Sequence, residues 1–292
     1  AVDAREWRAG CEAAARAGGR LAALWASDER DRGQGFSVRA LLVLYEGLVC
    51  LELQLADATQ AYPDLTDLFA CATRMQRAAY DLVGVIPQGA SDRRSWLRHG
   101  AWPENAFPLR HEFKAEEKYP LQDNVYPFVR VEGEGVHEIP VGPVHAGTIE
   151  PGHFRFSIVG EKILRLEERL GYKHKGIEKR FESMTLEEGA RHAGRVSGDS
   201  TVASAWPYAM ALAGMSGTQP GPRALHLRAL LLERERVANH LGDLGYIGND
   251  CALSFGFAQF WRMKENVLRM NARVFGHRYL MDRVVPGGVA CA

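Results

Sequence analysis

The sequence lacks surplus charge, paired cysteines and long apolar runs, and each absence excludes something. Its 292 residues hold 36 Lys and Arg against 36 Asp and Glu. With a formal net charge of zero, no whole-molecule field points to nucleic acid. The five cysteines, Cys11, Cys50, Cys71, Cys251 and Cys291, are scattered, with no C-x-x-C pair and no histidine placed to complete a zinc site. They read as buried thiols of a reducing compartment. No window reaches the roughly 18 apolar residues of a membrane span, and the charged opening AVDAREWRAG lacks the apolar run of a signal peptide. What is present is 46% hydrophobic content, enough for buried cores in two domains.

Periodicity divides the chain. Residues 4–25 place Trp7, Cys11, Ala14, Leu21 and Leu24 near helical spacing, with Gly18-Gly19 as an interruption. Residues 36–44 and 48–55 are β-rich runs around Glu46-Gly47, a hairpin. Residues 65–82 set Leu65, Leu68, Phe69, Ala72, Met75, Ala79 and Leu82 on one helical face. Together these predict an α+β domain, helices packed on an antiparallel sheet in an α/β-sandwich-like layer. Residues 86–130 carry Pro, Gly, charge, Trp96, Trp102, Phe107 and Phe113 without periodicity. Such a stretch is a linker or an arm, laid over a partner or folded back on its own domain.

From 131 to 292 a small antiparallel sheet precedes a helix-dominated region. Strands are expected at 136–140, 153–159 and 162–166, with Phe154, Phe156 and Ile158 inward. Helices are expected at 186–212, 222–244 and 257–275, Pro222 opening the second and Leu227, Leu230, Leu231, Val237, Leu241 and Leu244 forming its apolar stripe. The Gly/Pro/His loop at 142–156, the basic segment at 171–182 and the segment RVSGDSTVASAWPY at 195–208 lie between apolar runs. Glycine there lets backbone approach a ligand and proline fixes the path.

RMQRAAYDLVGVIPQG followed by SDRRSWLRHGAWPENAFPLRHEF resembles the signature of the small hydrophilic subunit of respiratory complex I. Arg77, Asp81, Gly84, Trp102, Pro103, Pro108, Leu109, Arg110 and Phe113 match, while Ala78 stands where an acid is usual. The resemblance covers roughly the first 115 residues and implies a scaffold without a cofactor. The remainder, through IPVGPVHAGTIEPGHFRF, GYKHKGIEKRFE, RVSGDSTVASAWPY, LLLERERVANHLGDLGYIGNDC and Gly287–Val289, resembles the large subunit of nickel-iron hydrogenases of the membrane-bound, energy-converting type. The quinone-site subunit of complex I shares that fold, and the formate hydrogenlyase large subunit joins the same two domains. The domain reading is therefore 1–85, an arm at 86–130, and 131–292. The family continues beyond residue 292 to a second cysteine pair, so the chain reads as truncated.

The chemistry departs from the pattern. The family's Arg-x-Cys-Gly-x-Cys-x-x-x-His reads here as Arg195, Val196, Ser197, Gly198, Asp199, Ser200 and then Ser204. Soft thiolates hold nickel and iron, and a serine hydroxyl stays protonated at neutral pH. Ser197, Ser200 and Ser204 thus stand at positions of lost ligands, and no metal is expected in this chain. His145 matches the first histidine of the quinone loop, but Ile149 stands at the second and Gly198 at the tyrosine; quinone binding is left open.

Glu178 matches the glutamate by which this family of hydrogenases passes protons from the metal site, a role for a carboxyl tuned by its surroundings. The bland alternative pairs it with Lys175 or Lys179. Glu233, Arg236, His240, Asp243 and Asp250 form either an intrahelical ladder or a proton track that Asp199 could join. His153 reads as structural. The resemblance implies a cytoplasmic subunit, peripheral to the cell membrane through membrane-arm subunits, beside a small iron–sulfur subunit whose cluster supplies electrons. The rival is a subunit that only braces those partners. Glu178, His145 and Asp199 are the candidate catalytic residues.

Overall fold

The computed structural model describes residues 1–57, 61–114, 116–123, 125–144 and 150–291. Its first helix, α1 (Ala4–Arg16), opens on a capping box, Asp3 accepting the N–H of Glu6 while Glu6 accepts that of Asp3. The helix stops well short of residue 25. Gly18 takes φ +76°, and a Cβ at Gly19 would lie 2.8 Å from the Ala14 carbonyl oxygen, so two glycines turn the chain out of the helix. Residues 20–28 are instead a strand, β1 (Arg20–Asp28), with a register shift between Leu21 and Ala23. That irregularity spaces the buried Leu21 and Leu24 three apart and imitates a helical stripe.

The expected hairpin is present as β2 (Phe36–Leu44) and β3 (Gly47–Leu55), turning at Tyr45-Glu46. The three strands form one antiparallel sheet in the order β1-β2-β3. A short parallel pair, β4 (Ala61–Pro63) and β5 (Ile86–Gln88), flanks α2 (Ala72–Val83). This helix begins later than its apolar face suggests. Leu65 and Phe69 are buried, but buried Gln76 accepts the Leu65 N–H at 3.1 Å and Asp64 accepts that of Thr66 at 3.1 Å. Side chains therefore hold the preceding segment in turns. Trp7, Val38, Leu42, Tyr62 and Val85 lie in the core between helices and sheet. Of the cysteines only Cys11 is buried; Cys50 and Cys251 are exposed, against the expectation for all five.

Compactness divides the chain into Ala1–Lys179 and Arg180–Ala292, a different division from the motif boundaries at 85 and 130. The first unit includes much of the arm because α2 holds it. Asp81, with no exposed side-chain surface, accepts the N–H groups of Trp96 at 2.6 Å and Leu97 at 2.8 Å. Arg77 donates to the carbonyls of Arg94 at 2.6 Å and Ser95 at 3.1 Å. The arm folds back on its own unit.

The second sheet of this unit is β6 (His137–Val141), β7 (His153–Val159) and β8 (Lys162–Arg169), all antiparallel. Its buried face is not the expected one. Ser157, Glu167 and Arg169 are buried, whereas Phe154, Phe156 and Ile158 are only half-buried and Leu166 is exposed. Ion pairing decides this: Glu167 accepts Arg94 at 2.9 Å and the Val129 N–H at 2.7 Å, drawing the charged face onto the arm.

The unit boundary falls within α3 (Ile177–Phe181). The second unit holds α4 (Leu186–Ala193), α5 (Thr201–Ser216), α6 (Pro222–Asp250), α7 (Ser254–Phe275) and a two-stranded ribbon, β9 (Val284–Val285) with β10 (Gly288–Val289). The helix expected over 186–212 is thus two helices around residues 195–200. Pro222 does open α6. Its buried face, however, is Arg228, Leu231, Glu235, Ala238, Gly242, Gly245 and Gly248, while Leu230, Val237 and Leu244 are exposed. A Cβ at Gly245 would lie 2.8 Å from Trp261 Nε1, so only glycine lets α7 pack this closely.

Candidate functional site

The segment between α4 and α5 is the chemical centre of the second unit. Arg195 reaches Asp282 with both terminal nitrogens at 2.7 Å, tying one end of the segment to the chain after α7. Ser197 Oγ donates to Asp199 Oδ1 at 2.7 Å, and Asn239 Nδ2 donates to the Asp199 carbonyl at 2.9 Å. Ser200 precedes α5 without a side-chain cap bond, and half-buried Ser204 lies in its first turn.

The α5 N-terminus is capped from another helix. Glu235, 6% exposed on α6, accepts the N–H groups of Val202 at 2.6 Å and Ala203 at 2.9 Å. Burial pushes its carboxyl above the ordinary range, the two N–H groups oppose that rise, and nearby Asp199 adds to it. Glu235 is absent from the residues singled out in the sequence, where the more conspicuous charges around it draw the eye. A signal was available, since Glu235 lies four after Leu231 and three before Ala238, in register with Gly242 and Gly245.

A cavity of about 440 Å³ opens beside Asp199, with Lys264, Glu265, Arg278, Tyr246 and Trp261 in its walls. Lys264 lies over the Trp261 ring at 5.5 Å, and Arg278 grips Glu265 at 2.8 and 3.0 Å. Arg278 and Arg269 hold the Glu265 carboxyl at about 2. The Trp206 and Tyr208 side is filled instead: Tyr208 donates to the Leu186 carbonyl at 3.1 Å and stacks on Phe181, and Trp206 packs against the core.

A nickel-iron centre does not fit this frame. Hydroxyls occupy the positions at Ser197 and Ser200, and hydroxyls are poor ligands for those metals at neutral pH. Among the described residues, no three His, Cys, Asp or Glu side chains come together as a metal set.

Glu178 belongs to the first unit and is paired with His174. Its Oε2 lies 3.7 Å from His174 Nε2, while Lys179 donates to the Arg110 carbonyl at 3.0 Å. His174 holds the Glu178 carboxyl below the ordinary range, against the effect of burial. The side chain is 54% exposed, so Glu178 meets solvent directly. His174 lies beside Trp102, their rings 6.5 Å apart, and Tyr172 lies against His99 at 4.3 Å, so part of the basic segment rests on the arm. His145 and Ile149 fall outside the described residues. His153 has a structural place, with Nδ1 at 3.2 Å from the Gly142 carbonyl. On α6, Glu233 pairs with Arg236, while His240, Asp243 and Asp250 are exposed.

Residues 1–119 match the family described as the respiratory-chain NADH dehydrogenase 30 Kd subunit. That stretch is a domain of this family. Beyond it the likeness continues. Formate hydrogenlyase subunit 5 of Escherichia coli is 31% identical over 280 residues, 93% of this chain and 49% of that protein. The fused C/D subunit of NADH-quinone oxidoreductase from Cereibacter sphaeroides is 30% identical over 296 residues, covering 92% of this chain and 50% of that one. The chain is thus a C/D-like fusion near the formate hydrogenlyase type, and it spans about half the length of the curated relatives it matches. A solved structure of the membrane-bound sulfane sulfur reductase, an archaeal respiratory membrane complex, shares the fold with a TM-score of 0.50 at 21% identity, over 54% of this chain and 42% of that one. Among the described residues no helix is long and apolar enough to cross a membrane.

Proposed function

We propose that the chain is an oxidoreductase subunit of a membrane-associated complex of the complex I or energy-converting hydrogenase kind. In this reading it lies on the cytoplasmic side, against a small iron–sulfur subunit and membrane-arm subunits, and holds no metal itself. Electrons arrive from the partner's cluster. Asp199 and Glu178, with Glu235 behind the α5 terminus, exchange protons with solvent, and His145 keeps the place its motif gives it. The observation that carries the reading is the polar cavity beside Asp199, whose walls carry Lys264, Glu265 and Arg278; the buried Glu235 lines a neighbouring smaller pocket that shares Asp199, Lys264 and Arg278 with it.

Exposed apolar side chains support a life in a complex. Leu230, Val237, Leu244 and Ile247 on α6 and Phe255 and Val274 on α7 are all more than 45% exposed, a pattern typical of surfaces that partners cover. A second reading, a bracing subunit without a proton role, draws on the filled space around Trp206 and Tyr208.

The test is metal and redox analysis of the chain purified with its neighbours: nickel and iron content, hydrogen uptake and quinone-analogue reduction, repeated for Glu178→Gln and Asp199→Asn. Iron confined to a partner, with electron transfer lost in either variant, supports the coupling role. Unchanged turnover in both variants favours bracing. Stoichiometric nickel in this chain with hydrogen turnover sinks both.

A further inference from the structure

A cavity of about 650 Å³ in the first unit, lined by none of the candidate residues above, lies between α2 and the arm. Its size falls within the range of small-ligand pockets. Tyr80, Ile86, Trp102 and Val125 give it apolar walls, and four arginines, at 77, 93, 94 and 98, line it together with three acids, Asp92, Glu104 and Asp123.

The acids are unevenly spent. Asp92 is held by Arg77 at 3.1 Å and Arg94 at 2.7 Å, and those two arginines are saturated by further bonds to carbonyls and to Glu167. Arg98 is not saturated. It is 8% exposed, and its Nη2 donates to Asp81 at 3.2 Å, but Nε and Nη1 are buried without an acceptor among the described residues. The nearest other acid, Glu104, stands 3.7 Å from Nη1, beyond hydrogen-bond reach, and its side chain is 95% exposed. The indole Nε1–H of Trp102 is likewise buried and unanswered. Arg93 is exposed at the cavity wall and has no ion pair among the described residues.

Every unanswered group here is a donor, and a buried donor without an acceptor is costly. A molecule that brings anionic oxygens satisfies them, and guanidinium groups are the side chains best suited to such oxygens. We propose that this cavity binds a small organic anion, a carboxylate or phosphate on an apolar body. Its charged end displaces the loosely held Glu104 beside Arg98, and its body lies against Tyr80 and Trp102. The site is independent of the electron-transfer reading and does not depend on its outcome.

Titration calorimetry of the full chain with phenyl phosphate and with benzoate, using benzyl alcohol as the uncharged control, tests it. The expected result is saturable binding of at least one anion with a Kd below about 1 mM and none of the alcohol. Trp102→Phe keeps an aromatic side chain but deletes the N–H together with the five-membered ring; Arg93→Gln removes a charge that has no ion pair among the described residues. Each is expected to weaken binding by roughly fivefold, the value of one net hydrogen bond, with the melting curve unchanged. Absence of saturable binding to the folded chain overturns the proposal, as does binding that both variants leave intact.

Discussion

The carboxylate of Glu235, buried on α6, accepts the main-chain N–H of Val202 at 2.6 Å and so caps a helix that starts more than thirty residues earlier in the chain. Replacing it with alanine leaves the α5 N-terminus without that partner in a buried place, a loss of about 2–3 kcal/mol by urea unfolding. Glu235→Gln keeps one acceptor and should lose less. The pH dependence has a sign. A carboxyl raised by folding above 4.5 contributes stability below that value and loses it as pH rises through the folded value. Stability measured upward from pH 4.5 should fall in the wild type relative to Glu235→Gln; a parallel pair of curves contradicts the shift.

Asp28 predicts the opposite slope. Burial alone would raise its carboxyl, but Arg30 and the N–H groups of His111 and Arg30 outweigh it and hold it at about 2, against an ordinary 3.8. Its contribution is present above 3.8 and disappears as pH falls toward 2. Acid titration of stability should show a loss of about 2 kcal/mol across that window, and Asp28→Asn should remove this component.

Asp81 fixes the arm. Asp81→Ala removes the one oxygen that accepts from both Trp96 and Leu97 and leaves Arg98 without its buried carboxylate partner. A cost of about 3 kcal/mol is expected, with faster hydrogen exchange at residues 96 and 97 as the local sign. Protection equal to the wild type at those amides would show that the arm holds itself.

Gly189 on α4 leaves room for Tyr208. A Cβ there would lie 2.9 Å from the Tyr208 Cζ and closer still to its hydroxyl. Gly189→Ala gains helix propensity but overpacks, for a net loss of about 1–2 kcal/mol. Adding Tyr208→Phe should recover part of it, which a double-mutant cycle by thermal unfolding reads directly.

Glu178→Gln should leave stability within about 0.5 kcal/mol, because the side chain is more than half exposed and its His174 partner stands at 3.7 Å. Any loss of electron transfer in that variant then reports on protons and not on folding. A melting point shifted by several degrees would remove that distinction.

How much could be read from residues alone depended on whether local chemistry or distant partners decided a position. The β2–β3 hairpin was legible because alternation and a tight turn are local, and the start of α6 was legible because Pro222 suits a first helical turn. The family likeness was legible for the same reason, since motifs keep their order whatever they pack against. The end of α1 was misread because an irregular strand register spaces Leu21 and Leu24 as a helix would.

The site divided the same way. The sequence named Ser197, Asp199 and Ser200 and set hydroxyls where the resemblance would place thiolates. Tertiary structure alone decided which charges are buried. Glu235 and Glu233 are two residues apart on one helix, but only Glu235 faces α5, where two free N–H groups offset the cost of burying a carboxylate. Likewise the second sheet buries Glu167 and Arg169 and exposes Leu166, because the arm supplies Arg94 and a main-chain N–H to the charged face. Hydrophobic periodicity assumes that the apolar face seeks the interior; where hydrogen-bond partners wait on the other side, the partners decide.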